Sequence, residues 1–220
     1  VRPAPVAMAT ADDGIVALVL DVGSDTCRVG FAGADAPATV FPSVVGRAHR
    51  QMLMPGVRPQ YVGTEAEAAR GVLQMFRPIE NGLVTRWNDM EQIWHHIFYN
   101  ELRVPPADHP VLITEAPLTP KEDREKVLTI LFETFLVPSV HLAVQAVLSL
   151  YASGRCSGLL MDAGLTQTRA VPICEGFVLP HAIHRCHLGG NLLTDYLIKL
   201  LEEERSWTFR GYHDRRIAEE

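Results

Sequence analysis

The feature that most constrains the fold is a strand-like apolar run that ends in an aspartate and a glycine turn, and it occurs twice. IVALVL at residues 15–20 leads into Asp21 and a glycine turn, and GLLM at residues 158–161 leads into Asp162 and a second glycine turn. Strand candidates follow each turn, which indicates a duplicated strand–turn–strand unit. Backbone N–H groups in such turns bind phosphate. Two such turns facing each other would bind a phosphate chain and its metal ion from both sides.

Between the two units the sequence favours helices. Asn88 with Glu91, and Thr119 with Glu122, have the spacing of capping boxes and predict the first turns of two helices. Residues 90–98 carry an apolar stripe at helical spacing, which predicts a buried helix face. The other predicted elements are strands at residues 28–33, 38–45, 110–115, 141–144, 158–162, 167–173 and 177–179, and helices at 64–73, 146–153 and 192–205.

Composition excludes several classes of function. The 220 residues carry a formal net charge of -6, which argues against nucleic acid as a partner because such a protein needs a basic stripe. No apolar run approaches about 18 residues, so we expect no membrane span, and we expect no secretory signal. The four cysteines are widely spaced, which is typical of the reducing cytosol. We therefore expect a cytoplasmic protein.

Several long runs identify a resemblance to the actin family. The runs that resemble actin are VLDVGSDTCRVGFAGADAP, VFPSVVGR, IWHHIFYNELRV, HPVLITEAPL, QAVLSLYASGR and LTDYL. The resemblance extends over residues 15–209 and implies the α/β, ribonuclease H-like actin fold. In that fold ATP or ADP with Mg²⁺ or Ca²⁺ lies in a cleft between two duplicated domains.

The resemblance also implies a domain organisation. Residues 1–14 are expected to be a disordered extension, with Met8 as a candidate initiator. Residues 15–153 would form the first domain, with a small inserted subdomain around 43–78. Residues 154–220 would begin a second domain that is incomplete, so the chain is expected to be either a naturally truncated actin-like protein or a fragment of a longer one.

The first phosphate loop departs from the family pattern at its centre. Actins read Asp-Asn-Gly-Ser-Gly there, and this chain keeps Asp21 for the metal's water and Gly23 and Ser24 for the nucleotide. Arg28 replaces the lysine that reaches the phosphates, and Asp25 replaces the second glycine. Two negative charges about 4 Å apart repel by roughly 4 kcal/mol at an effective dielectric constant of ~20. Asp25 would therefore weaken phosphate binding unless it turns outward or joins the metal's shell.

The second phosphate loop is altered more. Asp162, the second aspartate that acts on the metal through water, and Gly164, at the nucleotide, are retained, but Leu165 and Thr166 stand where actins have an acid and a glycine. Arg169 replaces the histidine that helps to position the attacking water. Gln145 matches the catalytic glutamine that orients this water, although packing alone would also explain its presence. The resemblance thus implies a degenerate cleft in which hydrolysis is not expected.

The resemblance also implies a protein-binding face. Tyr151, Gly154, Cys156 and Glu175 match positions around the hydrophobic cleft where actin-binding proteins and neighbouring subunits dock. By contrast, the loop at residues 47–60, where actins contact the next filament subunit, is shorter and contains two prolines. These differences argue against ordinary filament growth.

The sequence therefore predicts an actin-like scaffold or structural protein of the cytoskeleton that binds actin or actin-binding proteins. Divergent members of the family are often germ-cell proteins, so the resemblance implies that setting. One alternative is an ATP-hydrolysing, filament-forming actin. The other is an unstable remnant without function, whose incomplete second domain would expose sheet edges.

Overall fold

The computed structural model describes residues 15–48, 58–205, 208–209 and 211–219. The expected extension at residues 1–14 and most of the loop at 47–60 lie outside the described residues. The strands are β1 (Leu18–Val22), β2 (Thr26–Phe31), β3 (Thr39–Pro42), β4 (Val45–Ala48), β5 (Gln60–Val62), β6 (Leu73–Phe76), β7 (Ile79–Glu80), β8 (Leu83–Val84), β9 (Val111–Glu115), β10 (Val140–Val144), β11 (Gly158–Ala163), β12 (Thr168–Cys174), β13 (Phe177–Val178) and β14 (His184–Cys186).

Helices connect these strands. The α-helices are α1 (Gly63–Ala68), α2 (Trp87–His95), α3 (Lys121–Thr129), α4 (Gln145–Ala152), α5 (Gly190–Arg205) and α6 (Gly211–Glu219). Two of them, α2 and α3, continue as π-helical segments at His96–Leu102 and Ile130–Thr134, and short 3₁₀ turns lie at Pro106–Asp108 and Pro180–Ala182.

The main sheet has the strand order β10-β9-β1-β2-β3. The three N-terminal strands follow one another as antiparallel hairpins, as the sequence predicts, while β9 runs parallel to both β1 and β10. Leu18 and Leu20 are completely buried beneath this sheet, where they join the core formed with Trp94 and Phe98. Because helices alternate with the strands β9 and β10, this mixed sheet is characteristic of an α/β domain.

A small sheet projects from the main one. It has the order β5-β4-β6 and packs against α1. The single strand predicted at residues 38–45 was wrong in this respect, because the chain leaves the main sheet at Pro42 and re-enters the small sheet at Val45. Proline cannot donate a ladder hydrogen bond, so the strand ends there. The following hairpin, β7–β8, turns at Asn81 and Gly82, both with positive φ.

The last sheet has the order β11-β12-β13, and β14 pairs with the end of β12 that is nearest to β11's turn. Ala146, Leu150, Val171 and Ile173 form a smaller core between this sheet and α4. In the described part of the chain, β11 pairs with β12 alone. Its outer face is open to solvent, with Leu159 70% and Met161 74% exposed.

The predicted helices are present, but the one predicted at residues 64–73 ends at Ala68, and Leu73 already begins β6. Both predicted capping boxes are wrong. Asn88 lies inside α2, whose N-cap is Arg86, and Pro120 is the N-cap of α3. Neither helix has a side-chain cap hydrogen bond, and the Thr119 hydroxyl instead donates to the carbonyl oxygen of Ala116 at 2.7 Å. The apolar stripe of the first helix is confirmed, because its members Met90, Ile93, Trp94, Ile97 and Phe98 are all buried.

Candidate functional site

The two aspartate–glycine turns line one cavity of about 810 Å³. The turn after β1 and the turn after β11 both line it, and the first residues of α4 contribute Gln145. The structure therefore brings together the metal and nucleotide residues that the sequence predicts. These residues are Asp21, Gly23, Ser24, Asp25, Arg28, Gln145, Asp162 and Gly164.

The two turns have the same backbone geometry. The Gly23 N–H donates to the Thr26 carbonyl oxygen at 3.0 Å, and the Gly164 N–H donates to the Gln167 carbonyl oxygen at 3.0 Å. The strand registers agree as well, because Asp21 is opposite Arg28 in the first hairpin and Asp162 is opposite Arg169 in the second. Each copy of the duplicated unit is therefore a hairpin in which an aspartate lies opposite an arginine of the neighbouring strand.

Asp21 is held by three neighbouring side chains. Its Oδ1 accepts hydrogen bonds from the Thr114 hydroxyl at 2.7 Å and from the Gln145 side-chain amide at 2.9 Å. Its Oδ2 lies 3.6 Å from Nη1 of Arg28. Gln145 also donates to the Thr114 hydroxyl oxygen at 3.2 Å. The residues that the family resemblance assigns to the metal's water and to catalysis thus bond directly to each other.

Asp25 is paired with a residue that the sequence analysis did not consider. Nη1 of Arg77 donates to Asp25 Oδ1 at 2.8 Å and to the carbonyl oxygen of Ser24 at 2.9 Å. Arg77 follows β6, in the link between the small sheet and the β7–β8 hairpin. Asp25 lines the cavity, but its charge is balanced by Arg77, which differs from the unpaired, repulsive charge that the sequence suggests.

Arg169 crosses the cavity from the second hairpin to the β7–β8 turn. It is 6% exposed, and its Nη2 donates to the carbonyl oxygen of Asn81 at 2.9 Å. The Gln167 side chain donates to the same oxygen. Gly82 allows this approach, because a Cβ there would clash with the guanidinium. Burial lowers the pKa of Arg169 and nearby Arg185 lowers it further, while Asp162 opposes them.

A second long-range contact, between α6 and Glu67 of α1, was missed by sequence reasoning. Tyr212 on α6 donates its hydroxyl proton to Glu67 at 3.0 Å, and Arg216 donates to the same carboxylate at 3.0 Å. Arg77 lies over the Tyr212 ring, 5.8 Å from its centre. Burial raises the pKa of Tyr212 to about 12. The spacing of Tyr212, Arg216 and Glu219 on one helix face was the signal available in the sequence.

The residues predicted to bind partners form one exposed surface, which we call the Tyr151 face. It consists of Tyr151, Gly154, Cys156 and Glu175 at the end of α4 and the β12–β13 turn. Gly154 N–H donates to the Tyr151 carbonyl oxygen at 2.8 Å, and the N–H of Gly176, next to Glu175, donates to the Cys156 carbonyl oxygen at 2.7 Å. The Tyr151 side chain lies over Gly176, where a Cβ would clash with its hydroxyl group.

Comparison with known proteins accounts for this arrangement. The family model named Actin matches residues 12–211. The chain belongs to the actin family. Members of the actin family usually bind ATP and a divalent metal. The predicted fold class is confirmed by this match together with the mixed sheet.

A divalent metal fits this actin-family cleft poorly. Across the described residues, no group of three or more His, Cys, Asp and Glu side chains converges as a direct metal site. The family mode works through water on the two aspartates, but here Asp21 Oδ1 already accepts two hydrogen bonds and both aspartates face an arginine. A cation would meet Arg28 and Arg169 at close range, which is electrostatically unfavourable.

A phosphate group fits the same cleft better. Arg169 Nε is buried and lacks a hydrogen-bond partner among the described residues, and the residue lines the cavity. A buried donor without an acceptor costs about 1–3 kcal/mol, and the positive charge of Arg169 in the cavity lining favours an anionic group there.

In the ranges that the structure describes, no helix is both long enough and apolar enough to cross a membrane.

Proposed function

We propose that this chain is an actin-like cytoskeletal protein that acts by binding other proteins and does not hydrolyse ATP. The observation that carries the proposal is the state of Arg169, which replaces the family's water-positioning histidine and is bonded to the Asn81 carbonyl oxygen at 2.9 Å. A guanidinium held in this way is always protonated, so it cannot accept a proton from an attacking water. The proposal places the chain in the cytoplasm, with germ cells as the expected setting.

The Tyr151 face supports the binding part of the proposal. Tyr151 is 51% exposed, and Phe177 beside the same turn is 76% exposed. Exposed aromatic residues that are close together are enriched in protein interfaces. The expected partners are actin itself or actin-binding proteins, as the family resemblance implies.

The test measures turnover and binding separately. Purified chain is incubated with Mg-ATP and inorganic phosphate release is followed; we expect no release above the protein-free blank. Binding to fluorescently labelled actin is then titrated for the unchanged chain, for Tyr151→Ala and for Tyr99→Ala. Tyr99 is 49% exposed on the first domain, so it is the matched control.

We expect Tyr151→Ala to weaken binding at least about tenfold and Tyr99→Ala to leave it within twofold, because anchoring aromatic residues dominate interfaces. Equal effects of the two substitutions would reject the Tyr151 face. Phosphate release that is abolished by Gln145→Ala would reject the absence of hydrolysis.

The alternative is an ATP-hydrolysing, filament-forming actin. It is favoured by the retained contact between Gln145 and Asp21 at 2.9 Å. It predicts that Mg-ATP is hydrolysed and that the chain enters the pellet on sedimentation in Mg²⁺ and KCl.

The third reading, an unstable remnant, is favoured by the open face of β11, where Leu159 and Met161 are exposed. It predicts heterogeneous aggregates in sedimentation velocity at micromolar protein and no cooperative thermal transition.

A further inference from the structure

We infer that the cleft binds a phosphate chain without a divalent cation, because Arg169 adds a positive charge to the cavity lining beside the one that Arg28 carries. The inference concerns ligand binding in the cleft. It goes beyond the proposed scaffold function and does not depend on the Tyr151 face.

The first step in the argument is the symmetry of the charges. Each hairpin places an arginine directly opposite its aspartate, Arg28 opposite Asp21 and Arg169 opposite Asp162. At the first turn the Arg28 guanidinium lies 3.6 Å from the Asp21 carboxylate, whereas at the second turn Arg169 is bonded to the Asn81 carbonyl oxygen and adds a positive charge near Asp162. A guanidinium near each aspartate repels a divalent cation and offsets the attraction of the carboxylates.

Two other acidic groups that line the cavity are also paired. Asp25 is bonded to Arg77 at 2.8 Å. Glu115 accepts two hydrogen bonds from Arg124, at 2.7 and 2.5 Å. These pairs lower the repulsion that a phosphate chain would otherwise meet from Asp25 and Glu115, and they do so without using Arg28 or Arg169.

The second step is the unused hydrogen-bonding capacity of Arg169. The residue is 6% exposed, its Nη2 is bonded to the Asn81 carbonyl oxygen, and its Nε lacks a partner among the described residues. The cavity of about 810 Å³ is lined by Arg28, Arg169 and both glycine turns, and it is large enough for a triphosphate. Guanidinium groups bind phosphate oxygens through charge-assisted hydrogen bonds, so an anionic oxygen is the complementary group.

The phosphate chain has two sources, a nucleotide or free polyphosphate, and the test separates them. The affinities of ATP and of tripolyphosphate are measured by isothermal titration calorimetry at constant ionic strength, once with EDTA and once with excess Mg²⁺. We expect binding in EDTA to be at least as tight as in Mg²⁺, because Mg²⁺ complexes both ligands and lowers the negative charge that the arginines attract. Equal affinity for both ligands would assign the site to the phosphate chain alone, whereas tighter ATP binding would assign it to a nucleotide.

Variants locate the binding. Arg169→Gln is expected to weaken binding in EDTA at least about tenfold, the size of one lost charge-assisted hydrogen bond. Arg28→Gln is expected to weaken it several-fold, and because Arg28 is half exposed this variant keeps the fold. Arg58→Gln removes an exposed arginine that is paired with Glu65 and is expected to change nothing.

Three results would overturn the inference. They are binding that appears only with Mg²⁺, a dissociation constant that neither Arg169→Gln nor Arg28→Gln changes, and an absence of heat with both ligands at millimolar concentration. None of them bears on ATP turnover or on actin binding, so failure here leaves the proposed scaffold function intact.

Discussion

Arg77 binds the Asp25 carboxylate at 2.8 Å and, through the same nitrogen, the carbonyl oxygen of Ser24 at 2.9 Å. The first phosphate loop is therefore tied by one side chain to the segment that connects the small sheet to the β7–β8 hairpin. Asp25 is the residue that most disturbs the family pattern in this loop, and the pairing explains how it is accommodated. Its charge is balanced by Arg77 in a partly buried pair, so it need not repel a ligand's phosphate at full strength.

A double-mutant cycle on this pair tests the explanation. Asp25→Asn, Arg77→Met and the double variant are compared by urea unfolding. We expect a coupling energy of about 0.5–1 kcal/mol, since the pair is only partly buried and solvent screens it. The Arg58 and Glu65 pair, which is exposed on both sides, is the control and should couple by less than about 0.5 kcal/mol. Equal coupling in the two pairs would remove any special role for Arg77.

The duplicated hairpins offer a matched pair of core substitutions. Leu18 precedes Asp21 by the same number of residues as Leu159 precedes Asp162, yet Leu18 is 0% and Leu159 is 70% exposed. Leu18→Ala should lower the free energy of unfolding by about 2–5 kcal/mol, whereas Leu159→Ala should change it by less than about 0.5 kcal/mol. Urea unfolding at two protein concentrations measures both. A large cost at Leu159 would show that another surface covers β11 in solution.

Glycine-to-alanine substitutions test the contact between Arg169 and the β7–β8 turn. Gly82 has φ +75°, and a Cβ there would displace the Arg169 guanidinium. Gly33 has φ +83° with open space around it, so Gly33→Ala has only the backbone cost, roughly 1–2 kcal/mol. We expect Gly82→Ala to cost about 1–3 kcal/mol more in thermal or urea unfolding, because a buried charged hydrogen bond is lost. Equal costs would mean that this bond contributes nothing to stability.

The Cys27 thiol makes the free energy of unfolding depend on pH in the alkaline range. Burial raises the pKa of this thiol from 9.0 to about 12. Above about pH 9 the unfolded chain loses this proton while the folded chain keeps it, so the free energy of unfolding falls as pH rises. We expect a loss of about 1 kcal/mol between pH 8.5 and 10.

Cys27→Ala is the control for the pH effect. This variant should unfold at a lower urea concentration at every pH. Its free energy of unfolding should no longer show the fall with rising pH that the thiol causes. The range stops at pH 10 because Tyr212, whose pKa burial also raises to about 12, adds its own slope above that value. An unchanged slope in Cys27→Ala would assign the effect to other groups.

Short-range patterns in the sequence predicted most of the fold. Residues 15–20 and 158–162 were recognisable as strands because an apolar run ends at an aspartate and a glycine turn. The turns also predicted that Asp21 and Asp162 face one cavity. Helix starts were less predictable, because Pro120 and Arg86 occupy the N-cap positions and no side chain caps either helix.

The long-range pairs could not be predicted in the same way. Arg77 and Asp25 are separated by 52 positions, and Tyr212 and Glu67 by 145. Many arginines and glutamates could satisfy the same chemistry, and only the three-dimensional arrangement of the sheets selects these partners. Arg169 was recognised as a departure from the family pattern, but its bond to the Asn81 carbonyl oxygen depends on the glycine at position 82.

The bridge between α6 and Glu67 also has a consequence for the order in which the molecule assembles. The first hairpin closes between Gly23 and Thr26, whereas Tyr212 must meet a residue 145 positions earlier in the chain. Closing such a long loop costs more chain entropy, so the stabilising contact between Tyr212 and Glu67 is expected to form later. On the ribosome, Glu67 is synthesised long before Tyr212 and Arg216, so these contacts cannot form until synthesis has passed Arg216. The contact between α6 and Glu67 is therefore expected to form after the first hairpin.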